Sequence, residues 1–405
     1  MGKSKIKVGV VRVPWPLAPY ASEVESNLTE QGYTPGTRAS HLRVMAHLSR
    51  WLQAQQLDVA DLSWERIEAY LEQRRSCGHK GFCSRRSLTP MLGTLASLGL
   101  LPVEEPPAPA SRIDVLLGGF SRYLREERGL ASCTVQAYLS RARRFLTDYS
   151  DDGDLRGLTS ADVAGAVLRE SAAVSAGSVQ YFVAALRSLL RYGYVTGLIE
   201  AELSGAALPV TGRRRSSLPK GISPADAAAL LRSCDRRTAV GRRDYAIILT
   251  LLRLGFRSCE VAALRLEDLD WRAGQLLVHG KGRRVEQLPI PADVGAAVTV
   301  YLRRARPETT RREVFLTTRA PRTGLAAVGV SFIVRRASVR AGLTPFGAHR
   351  LRHSLACEMV RAQVPLGEIA QVLRHDAASS TALYARVDVD QLRAVAQPWP
   401  GVAGR

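Results

Sequence analysis

A chain of 405 residues is longer than one ordinary hydrophobic core and points to two or three domains. Its 46% hydrophobic and 23% charged residues exclude a disordered polymer, and a net charge of +20 directs attention to polyanionic partners, nucleic acid ahead of an anionic membrane surface. No apolar run reaches the roughly 18 to 20 residues needed to span a bilayer, and the run Val8 to Val11 is too short for a signal-peptide core, so a cytoplasmic location is expected.

Residues 1–19, with Pro14, Pro16 and Pro19, read as an extended lead-in. Helical periodicity begins near Tyr20 and resumes after Thr34-Pro35-Gly36, where Thr37 is the expected cap of a helix carrying Leu42, Met45, Leu48 and Leu52. Runs from Ser63, with Ile67, Tyr70 and Leu71, and through Leu88, Leu92, Leu95 and Leu98 complete a helical module over 20–101. Its marks recur roughly 95 residues later. Glu30-Gln31-Gly32 matches Glu127-Arg128-Gly129, Thr37 matches Thr134, Leu62-Ser63 matches Leu158-Thr159, and Leu98-Gly99 matches Tyr192-Gly193. Two similar four-helix modules, 20–101 and 112–203, are therefore expected on either side of a Pro-rich linker at 102–111. Leucine spacing shared by unrelated bundles is the plain alternative, and no function is readable in the first module.

The six cysteines lack the close, regular spacing of a disulfide framework and are expected as reduced thiols. Cys77, His79 and Cys83 are close enough to be tested as zinc ligands, but with no obvious fourth they make a weak site.

A second linker, 204–223, contains Arg213, Arg214, Arg215 and Lys220, candidates for lying along a phosphate backbone against the ordinary reading of solvated linker charges. Beyond it the spacing predicts helices over Ala225 to Ser233 and Tyr245 to Leu254, the latter stopped by Gly255, and a short one over Val261 to Leu266. Strands are expected at Gln275 to His279 and Arg284 to Ile290, joined by the turn Gly280-Lys281-Gly282. A helix over Ala292 to Arg304, a candidate strand at Val314 to Thr317 and a helix over Gly329 to Ala341 follow, and the remainder is helical as far as Tyr384. The fold class is thus mainly α with a small β-sheet. Tyr192, Tyr245 and Tyr301 are expected in or beside the core. Arg303, Arg304, Arg306, Arg311 and Arg312 either follow a phosphate backbone or form a solvated helix end.

The stretch Phe346 to Tyr384 holds three of the seven histidines, His349, His353 and His375, together with Arg352 and the tyrosine. Phosphoryl transfer without a metal needs a nucleophile, cations on the non-bridging oxygens, an acid for the leaving oxygen and a proton acceptor. Arginine suits the second role because its planar fork holds two phosphate oxygens and stays charged. Histidine and lysine suit the proton roles. His349 and Arg352, three apart, project from one helix face, while Leu351, Leu355 and Met359 form a stripe for the core. A core or solvated histidine is the usual reading of either one alone, and His353 at i+4 fits a buttress to the helix.

The string His349-Arg350-Leu351-Arg352-His353 resembles the H-x-L-R-H motif of the tyrosine recombinases, or phage integrase family. Three further stretches share the resemblance. Leu254-Gly255-Phe256-Arg257-Ser258-Cys259-Glu260-Val261 is similar to the family's first arginine box, and His279-Gly280-Lys281-Gly282 to its lysine hairpin. Leu373-Arg374-His375 stands nine residues before Tyr384, as the family's L-G-H segment stands before its nucleophile. These motifs place a catalytic domain at 224–390, with the module at 112–203 similar to the family's core-binding (SAM-like) domain and a tail at 391–405. The resemblance implies that Tyr384 attacks the scissile phosphate to form a 3′-phosphotyrosyl link. Arg257 and Arg352 would stabilise the transition state, Lys281 would protonate the 5′ oxygen, His349 would accept a proton and His375 would bond the phosphate. It further implies double-stranded DNA carrying a recombination site as partner, a homo-tetramer on two such sites, and no cofactor, with neither ATP nor a metal required; the first module suggests a mobile element. Arg374 stands where the family has glycine, a residue suited to a left-handed helix end. Two alternatives for Arg374 follow: it prolongs the helix, or it touches DNA.

Two rivals are kept: a type IB topoisomerase-like or hairpin-forming strand transferase using the same residues on one duplex, and a non-catalytic DNA-binding protein of the same fold. The filled catalytic positions argue against the second.

Overall fold

The computed structural model describes residues 11–102, 111–149, 154–209, 221–280 and 284–374. The chain divides into two compact units, one joining residues 1–103 with 217–405 and the other formed by 104–216.

Four helices, α1 (Ala21–Glu30), α2 (Pro35–Ala54), α3 (Trp64–Ser76) and α4 (Arg85–Ser97), enclose a core that includes Leu28, Met45, Leu48, Ile67, Tyr70 and Leu92. The cap of α2 differs from the sequence expectation. Thr34, not Thr37, is the cap: its hydroxyl accepts the Thr37 N–H at 3.3 Å, which leaves Pro35 at the first helical position, where a missing N–H costs nothing. Cys77, His79 and Cys83 do not converge on one point. The Cys83 thiol faces the His79 carbonyl at 3.0 Å, the His79 ring meets His47 edge-on, and Cys77 is exposed. Among the described residues no cluster of three metal-ligating side chains is found. The turn after α1 meets the loop before residue 323, where the Arg322 N–H donates to the Gln31 carbonyl at 2.9 Å.

The second unit contains α5 (Arg112–Glu126), α6 (Ser132–Tyr149), α7 (Ser160–Ala173) and α8 (Ala176–Val195) around Phe120, Phe145, Val163, Phe182 and Leu189. Several of the sequence marks shared by the two modules occupy equivalent places. Thr37 and Thr134 are each the third residue of their helix, and Ser63 and Thr159 cap α3 and α7 by accepting the N–H three residues on. The last mark slips: α4 ends before Gly99, whereas α8 runs through Gly193 to Val195.

In the C-terminal part of the first unit, α10 (Ala239–Leu254) is the central element, buried along most of its length and packed against α12 (Ala292–Arg304), α13 (Ala327–Arg340) and α14 (His349–Arg361). The short helices α9 (Pro224–Arg232), α11 (Ser258–Ala263) and α15 (Leu366–Val372) complete it. The sheet is antiparallel in the order β1 (Leu269–Asp270), β2 (Gln275–His279), β3 (Val285–Pro289), with His279 opposite Val285. Along β2 the alternation turns Leu276 and Val278 into the core and leaves Leu277 and His279 exposed. Two expectations change here. β1 had no signal of its own, being two residues long, and Val314 to Thr317 forms no named strand: Leu316 makes an isolated bridge to Gly324. The Lys281 turn lies outside the described residues.

Among the tyrosines, Tyr301 is buried and its hydroxyl accepts the Leu316 N–H, while Tyr192 and Tyr245 pack at core boundaries. Arg306 is neither a solvated end nor an outward cation. Its guanidinium donates to the carbonyls of Arg311 and Glu313 and braces the loop between α12 and α13.

Candidate active site

The site begins at the end of α10. Gly255 takes the left-handed conformation (φ +57°) that closes the helix, because a side chain there would crowd the preceding turn. The reversal drops Phe256 into the core and brings Arg257 out at the head of α11. Glu260, one turn into α11, binds this head from below. One carboxylate oxygen accepts the Arg257 backbone N–H at 2.8 Å and the other accepts the Arg257 guanidinium at 2.7 Å.

The second arginine lies at the start of α14, and it is far more buried than a surface-gripping residue need be, at 2% exposure. The Arg352 guanidinium donates to the Gly255 carbonyl at 2.7 Å and to the Leu373 carbonyl. Those are the C-terminal carbonyls of α10 and α15, groups without an intrahelical partner and at the negative ends of two helix dipoles. The inward stripe of α14 accordingly differs from the expected one. Leu351, Arg352, Ala356, Cys357 and Val360 are buried, while Leu355 and Met359 are half-buried against a small satellite cluster with Ile369 and Leu373.

His349, the first residue of α14, is exposed, and His353 packs on it edge-to-face with ring centroids 4.3 Å apart. His353 is therefore a neighbour of the His349 ring, consistent with the buttress read from its spacing. The second turn of α14 is anchored by Ser354, whose hydroxyl accepts the Ile222 N–H at 2.8 Å and so ties the end of the second linker to the helix.

Arg374 corrects both alternatives read from the sequence. It does not prolong α15 and it does not point outward. Its φ is +55°, the left-handed conformation that glycine adopts freely and that costs an arginine about 1–2 kcal/mol. Its side chain is turned inward, 3% exposed, with the guanidinium 2.9 Å from Glu260 and its centre 5.0 Å from the Phe256 ring centroid. The same guanidinium donates to the Val372 carbonyl at 2.9 Å, while the Arg374 backbone carbonyl accepts from Arg257 at 2.8 Å. Burial alone would push the Glu260 carboxyl up, but the Arg374 charge and the hydrogen bonds from Arg257 outweigh it, and the net shift is downward.

A further pair escaped the sequence reading. His279, the last residue of β2, meets the buried Asp268 at 2.9 Å, and Asp268 also accepts the Arg265 N–H at 2.8 Å. This fixes the exit of the strand that leads to Lys281. The only signal in the sequence was an acidic residue eleven positions before a strand-end histidine. Lys281, His375, Tyr384, Arg213, Arg214, Arg215 and Lys220 lie outside the described residues.

Arg257, with its side chain 32% exposed, spends two of its five N–H donors on Glu260 and the Arg374 carbonyl. Among the described residues the other three have no protein acceptor. A preorganised, partly exposed cation beside a second, buried guanidinium and an exposed imidazole is the equipment of an enzyme acting on a phosphate ester.

Comparison with known proteins identifies which one. Residues 220–391 match the phage integrase family, and residues 117–196 match the N-terminal SAM-like domain of phage integrases. The chain belongs to the phage integrase family, the tyrosine-type site-specific recombinases. It is 38% identical over 394 residues to y4rA of Sinorhizobium fredii (strain NBRC 101917 / NGR234), provisionally named an integrase/recombinase, covering 96% of each chain. It is 30% identical over 313 residues to the tyrosine recombinase XerD of Mycobacterium tuberculosis (strain ATCC 25618 / H37Rv), covering 71% of this chain and 97% of that one. In fold it is similar to the XerH site-specific recombinase bound to a palindromic difH substrate, with TM-score 0.55 and 19% identity over 72% of this chain and 97% of that one. A lambda integrase dimer bound to a COC′ core site gives TM-score 0.52 and 17% identity, over 71% of this chain and 99% of that one. Among the described residues no helix is long and apolar enough to cross a membrane.

Proposed function

We propose that the protein cuts and rejoins double-stranded DNA at a specific site through a covalent 3′-phosphotyrosyl intermediate at Tyr384. The Tyr384 oxygen forms a bond to the scissile phosphorus as its proton passes to His349. The bond from phosphorus to the 5′ oxygen breaks, and that oxygen takes a proton from Lys281. Arg257 and Arg352 hold the non-bridging oxygens as charge builds on them, and His375 adds a hydrogen bond. The energy of the broken bond is kept in the phosphotyrosine, so the reverse attack by a 5′-hydroxyl needs no ATP. Four protomers on two DNA sites exchange strands in this reading, in the cytoplasm and in the service of a mobile element, with Arg213, Arg214, Arg215 and Lys220 along the phosphate backbone.

The observation that carries the proposal is the joining of Arg257 and Arg352, 95 residues apart in sequence, at the Leu373-Arg374 corner that immediately precedes His375. A nicked suicide substrate tests it. Wild-type protein is expected to give a protein–DNA adduct that survives denaturation and EDTA, and Tyr384→Phe to give none. An adduct persisting in Tyr384→Phe would remove the tyrosine from its role. Joint molecules between two duplexes separate recombination from the relaxation of a single duplex.

A further inference from the structure

Arg374 occupies a glycine-like backbone conformation, which is unfavourable for an arginine, and spends a buried guanidinium there. Glu260 is 4% exposed and bonds two guanidiniums, Arg257 at 2.7 Å and Arg374 at 2.9 Å. Arg352 shares the Gly255 carbonyl with Arg374, at 2.7 and 3.5 Å. Among the described residues, the charged side chains bonded to Glu260 are Arg257 from its own segment and Arg374 from the end of α15.

We infer that Arg374 is a positioning residue for DNA cleavage: it holds the Glu260 carboxylate charged and fixed, so that Glu260 and the Arg374 carbonyl together aim the Arg257 guanidinium at the scissile phosphate. The inference rests on the phosphotyrosyl mechanism proposed above and adds to it a residue that contacts no DNA. The geometry assigns two separate tasks to one residue. Its side chain neutralises the carboxylate beneath Arg257, and its backbone carbonyl, exposed to Arg257 only because the chain turns left-handed here, receives the other arm of the same guanidinium. Lysine in its place would keep the charge but could not bond Glu260, the Val372 carbonyl and the Gly255 carbonyl with one planar group. Glycine would keep the backbone turn and lose the charge.

That contrast makes a discriminating test. If Arg374 were only filling the corner, Arg374→Gly would relieve the backbone and leave cleavage unchanged. Under the positioning role, single-turnover cleavage of the nicked substrate by full-length Arg374→Gly falls roughly 10- to 100-fold, the range expected when a catalytic group is misplaced by about 1 Å, while DNA affinity in a mobility-shift titration falls far less, by no more than the loss of one local charge allows. The pH profile of cleavage moves as well. With Arg374 gone, burial raises the Glu260 carboxyl, so it takes up a proton at higher pH and Arg257 loses its anchor; the acid limb of the profile shifts towards neutrality. Arg374→Lys, the variant with the smaller change in side chain, is expected between wild type and Arg374→Gly. Combined with Glu260→Gln it should cost no more than the worse single variant, because both changes break one unit.

Wild-type cleavage rate and pH profile in Arg374→Gly, or additive losses in the Arg374→Lys and Glu260→Gln pair, would overturn the inference and leave the proposed mechanism standing. Absence of any adduct with the wild-type protein would overturn both.

Discussion

Gly255 is the position where the geometry of the site can be tested by stability alone. A Cβ added there would lie 2.8 Å from Leu373 Cδ2 and 2.9 Å from Leu355 Cδ2, closer than real Cβ atoms approach, and on a backbone with φ +57°. Gly255→Ala therefore carries two costs, about 1–2 kcal/mol for a side chain in the left-handed region and about 1–3 kcal/mol for overpacking. Gly274, in the turn before β2, isolates the first of these, since it has φ +66° and nothing within 4 Å of an added Cβ. By calorimetry on the full chain, Gly255→Ala is expected to lower the catalytic-core transition by roughly 4–20 °C, at about 2–4 °C per kcal/mol. Gly274→Ala should lower it by roughly 2–8 °C on the same scale. The displaced leucines also carry the Leu373 carbonyl that holds Arg352, so cleavage by Gly255→Ala should fall more than stability alone requires. Equal shifts in the two variants would show that Leu355 and Leu373 yield at no cost, and would refute the claim that this corner is tightly packed.

Arg243 and Asp244 are a buried pair, 7% and 6% exposed, joined at 2.7 Å, with Arg243 also donating to the Leu316 carbonyl. Arg243→Ala should destabilise the catalytic core by about 3–5 kcal/mol in urea unfolding; a loss under about 1 kcal/mol would mean that Arg340, 3.9 Å from Asp244, pairs it adequately. His41 is 3% exposed between Tyr33 and Phe82, and burial lowers its pKa from the ordinary 6.5. Its neutral form is therefore favoured by folding, so its contribution is fully present above pH 6.5 and is lost as pH falls below that value. The melting temperature of the first helical module should drop on acidification through this range, and His41→Leu should flatten the slope.

Local chemistry made much of this legible in the sequence. Helix periodicity located α10, α12 and α14, and the alternation with flanking glycines located β2 and β3. Arg257, Glu260, His349 and Arg352 were legible through the motifs around them. The inward course of Arg374 was not, because its partners other than the Val372 carbonyl stand 114 to 120 residues earlier and no periodicity spans that distance. A signal was nonetheless present: a carboxylate beside an arginine box, and a cation where the family resemblance wants glycine. The Asp268–His279 pair and the bracing by Arg306 were hidden for the same reason, being contacts made by tertiary folding.

Among the described contacts, the guanidiniums of Arg257 and Arg374 at this corner share one carboxylate, Glu260. Arg352 and Arg374 also donate to the carbonyls of Leu254, Gly255, Val372 and Leu373 at the C-terminal ends of α10 and α15. Each such helix end is equivalent to about half a negative charge. Counted over these described groups alone, three cations against one carboxylate and two helix ends leave about one positive charge, which is the complement of one phosphodiester. Glu260 thus sets the charge as well as the direction of the grip, and the two effects can be separated. Glu260→Gln raises the local charge by one, so DNA affinity should hold or rise and its salt dependence should steepen by up to about one unit of log–log slope. Cleavage should nevertheless slow, because the neutral amide no longer holds Arg257 by a charge-assisted pair. Binding and cleavage weakening in parallel would refute this reasoning, since it would place Glu260 in the fold of the DNA-binding surface and not in the charge balance of the site.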